Sequence, residues 1–283
     1  MQAGEVVRFA PSPTGLLHLG HAFSAMFTSD IAEQSGGTFL LRIEDTDFTR
    51  CKPQWEKEIM ANLQALGLSW PQPVLRQSDR TAIYQAALET LKESDLIYPC
   101  FCTRRDIMAE IEQAGGAPHG PDGPHYPGTC RKHTRAEREA RMANGESFAW
   151  RLNIAQAAKE VGPLSLTELG QADQPVVPET FGDVVIARKD ISTSYHLACV
   201  IDDAAQGVTL VTRGADLKAA CHIQRVLQDL LNLPTPRYAH HALVGDQNNK
   251  RLAKRDGDSG LSALIDAGLT PQQILDSALA ALI

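Results

Sequence analysis

The stretch Pro-Ser-Pro-Thr-Gly-Leu-Leu-His-Leu-Gly-His, Pro11 to His21, restricts what this chain can fold into more than any other. It follows a short apolar run, Val6-Val7-Arg8-Phe9-Ala10, that reads as a buried strand, and it leads into Ala22 to Ala32, which reads as a helix. Strand, Gly/Pro turn and helix N-terminus make up the geometry in which backbone N–H groups and the helix dipole hold an anion. Two imidazoles, His18 and His21, flank Gly20 where a phosphate would sit, and a residue without a Cβ lets a nucleotide pack against bare backbone there.

The surrounding pattern predicts an α/β protein. Thr38 to Ile43 reads as a second buried strand, parallel to the first. Trp55, Ile59, Leu63 and Leu66 recur at helical spacing, with Pro53 near the start and Gly67 as the stop. Ser78 is expected to cap a further helix that carries Tyr84, Ala87, Leu88 and Leu91 on one face. Residues 1–97 therefore read as one half of a doubly wound, Rossmann-like architecture.

That pattern breaks at Tyr98-Pro99-Cys100, and Gly115 to Gly128 is too dense in Gly, Pro and His for a core element. Strand and helix resume near Asp183-Val184-Val185-Ile186-Ala187 and continue through Tyr195 to Ile201 and Gly207 to Thr212. A helix over Leu217 to Leu231 follows. Residues 98–180 are expected to form an inserted α+β lobe between two halves, 1–97 and 181–240. Residues 241–283 then supply a loop and a short helical tail, with Thr270 as N-cap and Pro271 at the first position of its last helix.

Charge narrows the partners. The 27 Lys and Arg against 34 Asp and Glu give a net charge of −7, which argues against indiscriminate coating of DNA or RNA. A tRNA needs only a local basic strip, and Arg131-Lys132-His133-Thr134-Arg135 with Arg138 and Arg141, or the cluster from Lys250 to Arg255, would provide one. No apolar run is long enough to span a bilayer and no signal peptide is evident, so no membrane partner and a cytoplasmic location are expected.

Six cysteines in that compartment do not imply disulfides. Cys100, Cys102 and Cys130 put three soft ligands in the insertion, and zinc takes four. Residue chemistry alone leaves His119, His125, Tyr126 and His133 open for the fourth position. A closed site of this kind would be structural, folding a Gly/Pro-rich lobe too small for a core of its own. Cys51, Cys199 and Cys221 read as ordinary packed thiols.

Six segments occur in one order: Arg8 to Gly15, the His18-x-Gly20-His21 signature, Arg42-Ile43-Glu44-Asp45-Thr46-Asp47, Tyr195 ahead of Val200-Ile201-Asp202-Asp203, Thr212 to Asp216, and Arg251-Leu252-Ala253-Lys254-Arg255. Together they resemble the glutamyl/glutaminyl branch of the class I aminoacyl-tRNA synthetases. The resemblance implies the class I Rossmann-like catalytic fold. It also implies a ligase that joins a carboxylate to the α-phosphate of ATP, taken with Mg2+, and expels pyrophosphate. Charge then builds on phosphoryl oxygens and must be met by fixed donors.

By the same resemblance His18, His21 and Lys254 are the catalytic groups, and His18, Gly20, His21, Arg251 and Lys254 hold ATP. Arg8, Phe9, Ala10, Pro11, Ser12, Glu44, Tyr195 and Arg213 match glutamate-contacting positions. Side-chain chemistry agrees: Glu44 suits an ammonium, and two arginines suit glutamate better than neutral glutamine. The branch's Cys-x-Cys…Tyr-x3-Cys pattern implies one structural Zn2+ on Cys100, Cys102, Tyr126 and Cys130. Three positions depart from the family pattern: Arg251 replaces a lysine, Ala253 a serine, and Ala215 a glutamate common in full-length members.

Only 28 residues follow Arg255, too few for the helical anticodon-binding domain of full-length members. The resemblance thus extends to the truncated paralogues of the branch. Those activate L-glutamate without tRNA and attach it to queuosine at the wobble position, presenting the active site to the anticodon loop of tRNA(Asp). Other readings are the catalytic subunit of a split synthetase charging the tRNA 3′ end, a non-catalytic amino-acid- or adenylate-binding regulator, and a small-molecule adenylating enzyme. Intact His18, His21, Glu44 and Lys254 weigh against the regulator. The cysteine-bearing insertion and the two-arginine pocket weigh against the last.

Overall fold

The computed structural model describes residues 4–114, 116–121, 123–191, 193–245 and 260–283. In chain order the first part carries β1 (Val6–Phe9), α1 (Leu19–Ser35), β2 (Thr38–Ile43), α2 (Pro53–Ala65), β3 (Leu75–Arg76) and α3 (Thr81–Glu93). The middle carries β4 (Ile97–Cys100), α4 (Arg104–Gln113), a short hairpin of β5 (His119–Gly120) and β6 (Gly123–Pro124), α5 (Arg135–Ala143), β7 (Ala149–Leu152) and α6 (Ile154–Val161). It ends with a second short pair, β8 (Ser165–Leu166) and β9 (Gln174–Pro175), and with β10 (Val185–Arg188). The last part carries α7 (Tyr195–Ala205), β11 (Leu210–Gly214), α8 (Ala220–Leu230), β12 (Arg237–His241), α9 (Leu261–Asp266) and α10 (Pro271–Ala280).

Strands β1, β2 and β3 pair in parallel in that order, and β11 pairs in parallel with β12. The two sets meet beside β1. The Thr209 N–H donates to Val6 O and the Val6 N–H donates to Thr209 Oγ1, each at 2.9 Å. β1 therefore lies between β2 and β11, the point where the winding reverses and where the carboxyl ends of strands open a ligand crevice. As the apolar runs predict, β1 and β2 are buried, with Val7, Leu41 and Ile43 at 0–2% exposure.

The insertion is built on an antiparallel sheet ordered β10-β7-β4. Val185–Arg188, which the sequence pattern assigns to the second nucleotide-binding half, thus pairs with β7 of the inserted sheet. A short apolar run reports that a strand is buried but not which partner it takes. Apolar burial also anchors the insertion. Ile97, Leu152 and Ile186 share one cluster with Leu88, Leu91, Leu197, Ile223 and Leu227 from α3, α7 and α8. The other main cluster joins Val7, Leu41, Ile59 and Leu63 to Leu210, Leu261 and Ile274, so the helical tail packs back on the first half. Each such side chain contributes about 1.5–3 kcal/mol on burial.

Two expected boundaries shift. Ser78 does not cap α3: it lies in a 3-10 turn, where its hydroxyl donates to Asp45 Oδ2 at 2.6 Å, and Arg80 stands at the N-cap. A carboxylate from a neighbouring loop has taken the hydroxyl that would have capped the helix. α8 begins at Ala220, after a 3-10 turn over Ala215–Leu217, later than the apolar spacing predicts. Among the described residues, no helix is long and apolar enough to cross a membrane.

Candidate active site

His18 is the N-cap of α1, with extended backbone, and accepts from the Gly20 N–H through Nδ1 at 3.1 Å. His21 Nδ1 in turn accepts from the His18 N–H at 3.2 Å. Two histidines thus build a reciprocal cap of the kind that Ser/Thr with Glu/Gln builds elsewhere. The arrangement also fixes tautomers: an accepting Nδ1 puts the ring proton on Nε2 of both rings. Both rings therefore present N–H donors at the positive end of a 17-residue helix, 3.7 Å apart between centroids. Gly20 suits this packing, because a Cβ there would meet His18 Cε1 at a tight 3.1 Å.

At the carboxyl ends of β1 and β2 lies a buried ion cluster. Asp203 Oδ1, from α7, accepts from Arg8 Nε at 2.8 Å and from Arg42 Nη1 at 2.6 Å. Arg8 Nη1 also donates to Thr212 O at 3.2 Å, and Arg42 Nη2 to Glu44 Oε1 at 3.2 Å. Burial favours the neutral form of Asp203, but Arg8 and Arg42 outweigh it and hold the carboxyl well below the usual carboxylate range. For Glu44 burial prevails over Arg42 and Arg8 and raises its pKa. Cys199 is more than packing here, since its sulfur lies 3.5 Å from Arg8 Nη2 and 3.6 Å from Arg42 Nη2.

Arg213, at the end of β11, is likewise held on several sides. Its Nη1 donates to the Tyr195 hydroxyl at 3.0 Å, its Nη2 to Cys221 Sγ at 2.8 Å, and its Nε to His240 Nε2 at 3.4 Å. Burial pushes the Tyr195 phenol up to about 12, so it stays a neutral donor.

These groups converge. One cavity of about 440 Å3 is lined by Arg8, Phe9, Ala10, Pro11, Ser12, His18, Gly20, His21, Glu44, Tyr195 and Arg213. A second, of about 500 Å3, adjoins it and shares Ser12, Thr14, Glu44 and Tyr195. Arg251 and Lys254, expected to close over the phosphates, lie outside the described residues. Arg42 and Asp203 received no role from their sequence positions, although an arginine inside the apolar run Thr38–Ile43 signals a buried charge that needs a partner.

In the insertion, the sulfurs of Cys100, Cys102 and Cys130 lie within 4.8 Å of one another, with Cys102 and Cys130 at 3.5 Å. The Tyr126 oxygen lies 3.4 Å from Cys102 Sγ and accepts from the Cys130 N–H at 2.8 Å. A hydrogen bond shared with Cys100 lowers the Cys130 thiol to about 6 and pushes Cys100 up to about 12. A tetrahedral ion with ~2.3 Å metal–sulfur bonds needs sulfurs roughly 3.8 Å apart, so this donor set fits zinc. His125 Nε2 is bonded to Thr180 O at 2.7 Å and His133 Nε2 lies 3.2 Å from Arg141 Nη1, so neither joins the cluster.

The basic strip is largely neutralised within the chain. Arg131 pairs with Asp183 at 2.8 Å, Arg135 with Glu139 at 2.8 Å and Arg141 with Glu146 at 2.6 Å. The exposed Arg135–Glu139 pair and the half-exposed Arg141–Glu146 pair are weak and would still open to a phosphate, whereas Arg131 is held by a buried carboxylate.

Comparison with known proteins agrees with the geometry. Residues 5–278 match the family model described as tRNA synthetases class I (E and Q), catalytic domain. The chain is 50% identical, over 95% of its own length and 98% of the relative's, to a Glutamyl-Q tRNA(Asp) synthetase of Rhodobacter capsulatus. It is 35% identical to a Glutamate–tRNA ligase of Coprothermobacter proteolyticus, covering 95% of this chain and 56% of that relative. Among solved structures it resembles a glutamate tRNA ligase of Elizabethkingia meningosepticum, in complex with its amino acid, with TM-score 0.74 and 29% identity. The match covers 90% of this chain and 52% of that one, so the chain spans about half the length of the solved structure.

Proposed function

The chain belongs to the class I tRNA synthetases of the E and Q family and is a ligase of that family, and from that premise we propose that it activates L-glutamate with ATP, without RNA, and passes the glutamyl group to queuosine at the wobble position of tRNA(Asp). The observation that carries the first half is the single cavity that joins the capped N-terminus of α1 to Glu44, Tyr195 and Arg213. In it the α-carboxylate of glutamate attacks the α-phosphorus of Mg2+–ATP, and the bond to pyrophosphate breaks. Glu44 takes the substrate ammonium, and Arg213 with Tyr195 takes its side-chain carboxylate. Arg8, already bonded to Asp203, supplies a fixed positive charge rather than a free fork.

His18 and His21 donate Nε2–H to phosphoryl oxygens, and Lys254 with Arg251 completes the clamp on the leaving group. Fixed donors of this kind act where charge develops, each worth roughly 3–4 kcal/mol of barrier. In the second step an acceptor hydroxyl attacks the glutamyl carbonyl and AMP leaves. The adjoining cavity, which shares Glu44 and Tyr195 with the first, offers an approach for that hydroxyl. Queuosine in tRNA(Asp) as the acceptor is supported by the name of the Rhodobacter relative, matched along nearly its whole length. Zn2+ held by Cys100, Cys102, Cys130 and Tyr126 would cross-link β4 to the 3-10 turn at Thr129–Lys132 and take no part in the chemistry.

A second acceptor, the 3′ end of tRNA, is favoured by the matches to glutamate–tRNA ligases such as those of Coprothermobacter and Elizabethkingia, of which this chain spans only about half the length. Glutamate-dependent ATP–pyrophosphate exchange in the absence of RNA tests the first step. Exchange with glutamate and little with glutamine is expected, and strict dependence on added tRNA would refute it.

A further inference from the structure

Arg213 does not stand alone beneath the proposed glutamate pocket. β11 and β12 pair in register, Arg213 opposite His240, and the segment that follows β8 lies along the outer edge of β12. There the Tyr238 N–H donates to Thr167 O at 2.9 Å and the Leu169 N–H to Tyr238 O at 2.8 Å. The bonds pin Glu168 against the strand, 8% exposed, with Lys218 Nζ 2.5 Å from Oε2 and His240 Nδ1 3.1 Å from Oε1.

The chemistry of this chain of contacts runs in one direction. Lys218 and His240 hold Glu168 ionised against the cost of its burial, so its pKa is lowered. An ionised carboxylate only accepts, so it fixes the His240 proton on Nδ1. Burial, with Arg213 alongside, lowers the His240 imidazole to about 4, so it is neutral and its Nε2 carries a lone pair. That lone pair faces Arg213 Nε at 3.4 Å. With Nε held by His240, Nη2 by Cys221 and Nη1 by Tyr195, the guanidinium cannot rotate about its last bond.

We propose that Glu168 and His240 are positioning residues that set the orientation of Arg213 toward the substrate side-chain carboxylate, through which the segment following β8 governs selection of the amino acid. The proposal rests on the reading of Arg213 as the carboxylate ligand. It accounts for a carboxylate and an imidazole kept deep beside a cationic pocket, where an apolar pair would cost less to bury.

ATP–pyrophosphate exchange, with KM for glutamate and for ATP measured separately, tests it on four variants. His240→Phe removes the acceptor, and Glu168→Leu releases the tautomer. Each is expected to raise KM for glutamate at least about tenfold, as loss of a buried bond to a charged group would, while KM for ATP and kcat change by less than about threefold. His240→Gln, which puts an acceptor oxygen back near Nε2, should recover most of the loss. Arg213→Ala serves as the reference. If it raises KM for glutamate while neither His240→Phe nor Glu168→Leu does, the positioning role is overturned and the pocket reading stands. An unchanged KM in Arg213→Ala itself overturns both. Should His240→Phe not fold, Glu168→Leu carries the same test, because its backbone pairing does not depend on the side chain.

Discussion

Arg8 Nε donates to Asp203 Oδ1 at 2.8 Å, and this bond ties the first strand of the chain to a helix that begins almost two hundred residues later. Arg42 donates to the same oxygen and also to Glu44, so Asp203 is the carboxylate shared by two buried guanidiniums. Two neighbouring parallel strands can each bury an arginine here because α7 supplies that shared charge, with Glu44 beside Arg42.

Asp203→Ala should therefore be severely destabilising. Removing one partner of a buried ion pair leaves an uncompensated charge at a cost of about 3–5 kcal/mol, and here two cations are left facing each other. Urea unfolding of the variant checks this. A loss under about 1 kcal/mol would mean that the cluster is hydrated.

His18→Asn separates the cap from the chemistry. The Asn oxygen replaces Nδ1 as acceptor for the Gly20 N–H, so folding stability should change by less than about 1 kcal/mol. The Nε2 donor is gone, and adenylate formation should fall roughly a hundredfold or more. Gly20→Ala should lower the rate less than this, since the new Cβ would push the His18 ring by a few tenths of an ångström. Near wild-type pyrophosphate exchange in His18→Asn would remove that imidazole from the mechanism.

Glu44 predicts a pH profile. Burial raises its pKa above the ordinary carboxylate value, so on acidification it takes up a proton earlier than an exposed glutamate and loses the charge proposed to hold the ammonium. KM for glutamate should rise as pH falls through that raised pKa and level off above it. Glu44→Gln should give a high KM with no such inflection. The stability effect runs the other way. The folded chain holds this proton more tightly than the unfolded one, so the group's contribution falls as pH rises from the unfolded to the folded pKa. A wild-type KM that is flat from pH 4 to 8 would contradict the assignment.

Metal content tests the cysteine cluster. About one zinc per chain should co-purify, and Cys100→Ser or Cys130→Ser should release it. Tyr126→Phe removes only the hydroxyl that contacts Cys102 and Cys130, and should weaken retention against a chelator. His125→Ala should retain the metal, since that imidazole is bonded to Thr180. The opposite pattern in the last two variants would move the fourth ligand to His125.

Much of this was legible in the sequence, for identifiable reasons. A strand, a Gly/Pro turn and a helix start are local signals, so β1, the histidine cap and α1 follow from Val6 to Ala32 directly. Arg8, Glu44, Tyr195 and Arg213 could be named from motifs, but their convergence on one cavity is a property of strand order, which periodicity does not encode. For the same reason the apolar run of β10 does not announce its pairing with β7. The supports were the least visible: Asp203 beneath Arg8, and Glu168 beneath His240, act on residues distant in sequence. Only a charge placed inside an apolar run, as at Arg42, announces such a partner in advance.

Delivery of glutamate activated in this cavity to an anticodon nucleoside can be measured directly. The direct measurement is incorporation of labelled glutamate, with ATP, into an anticodon stem-loop of tRNA(Asp) that has no CCA end, prepared with and without queuosine. Efficient glutamylation of the queuosine-containing stem-loop, and none of its unmodified twin, is expected. Charging of intact tRNA(Glu) at its 3′ end, with no incorporation into either stem-loop, would contradict it.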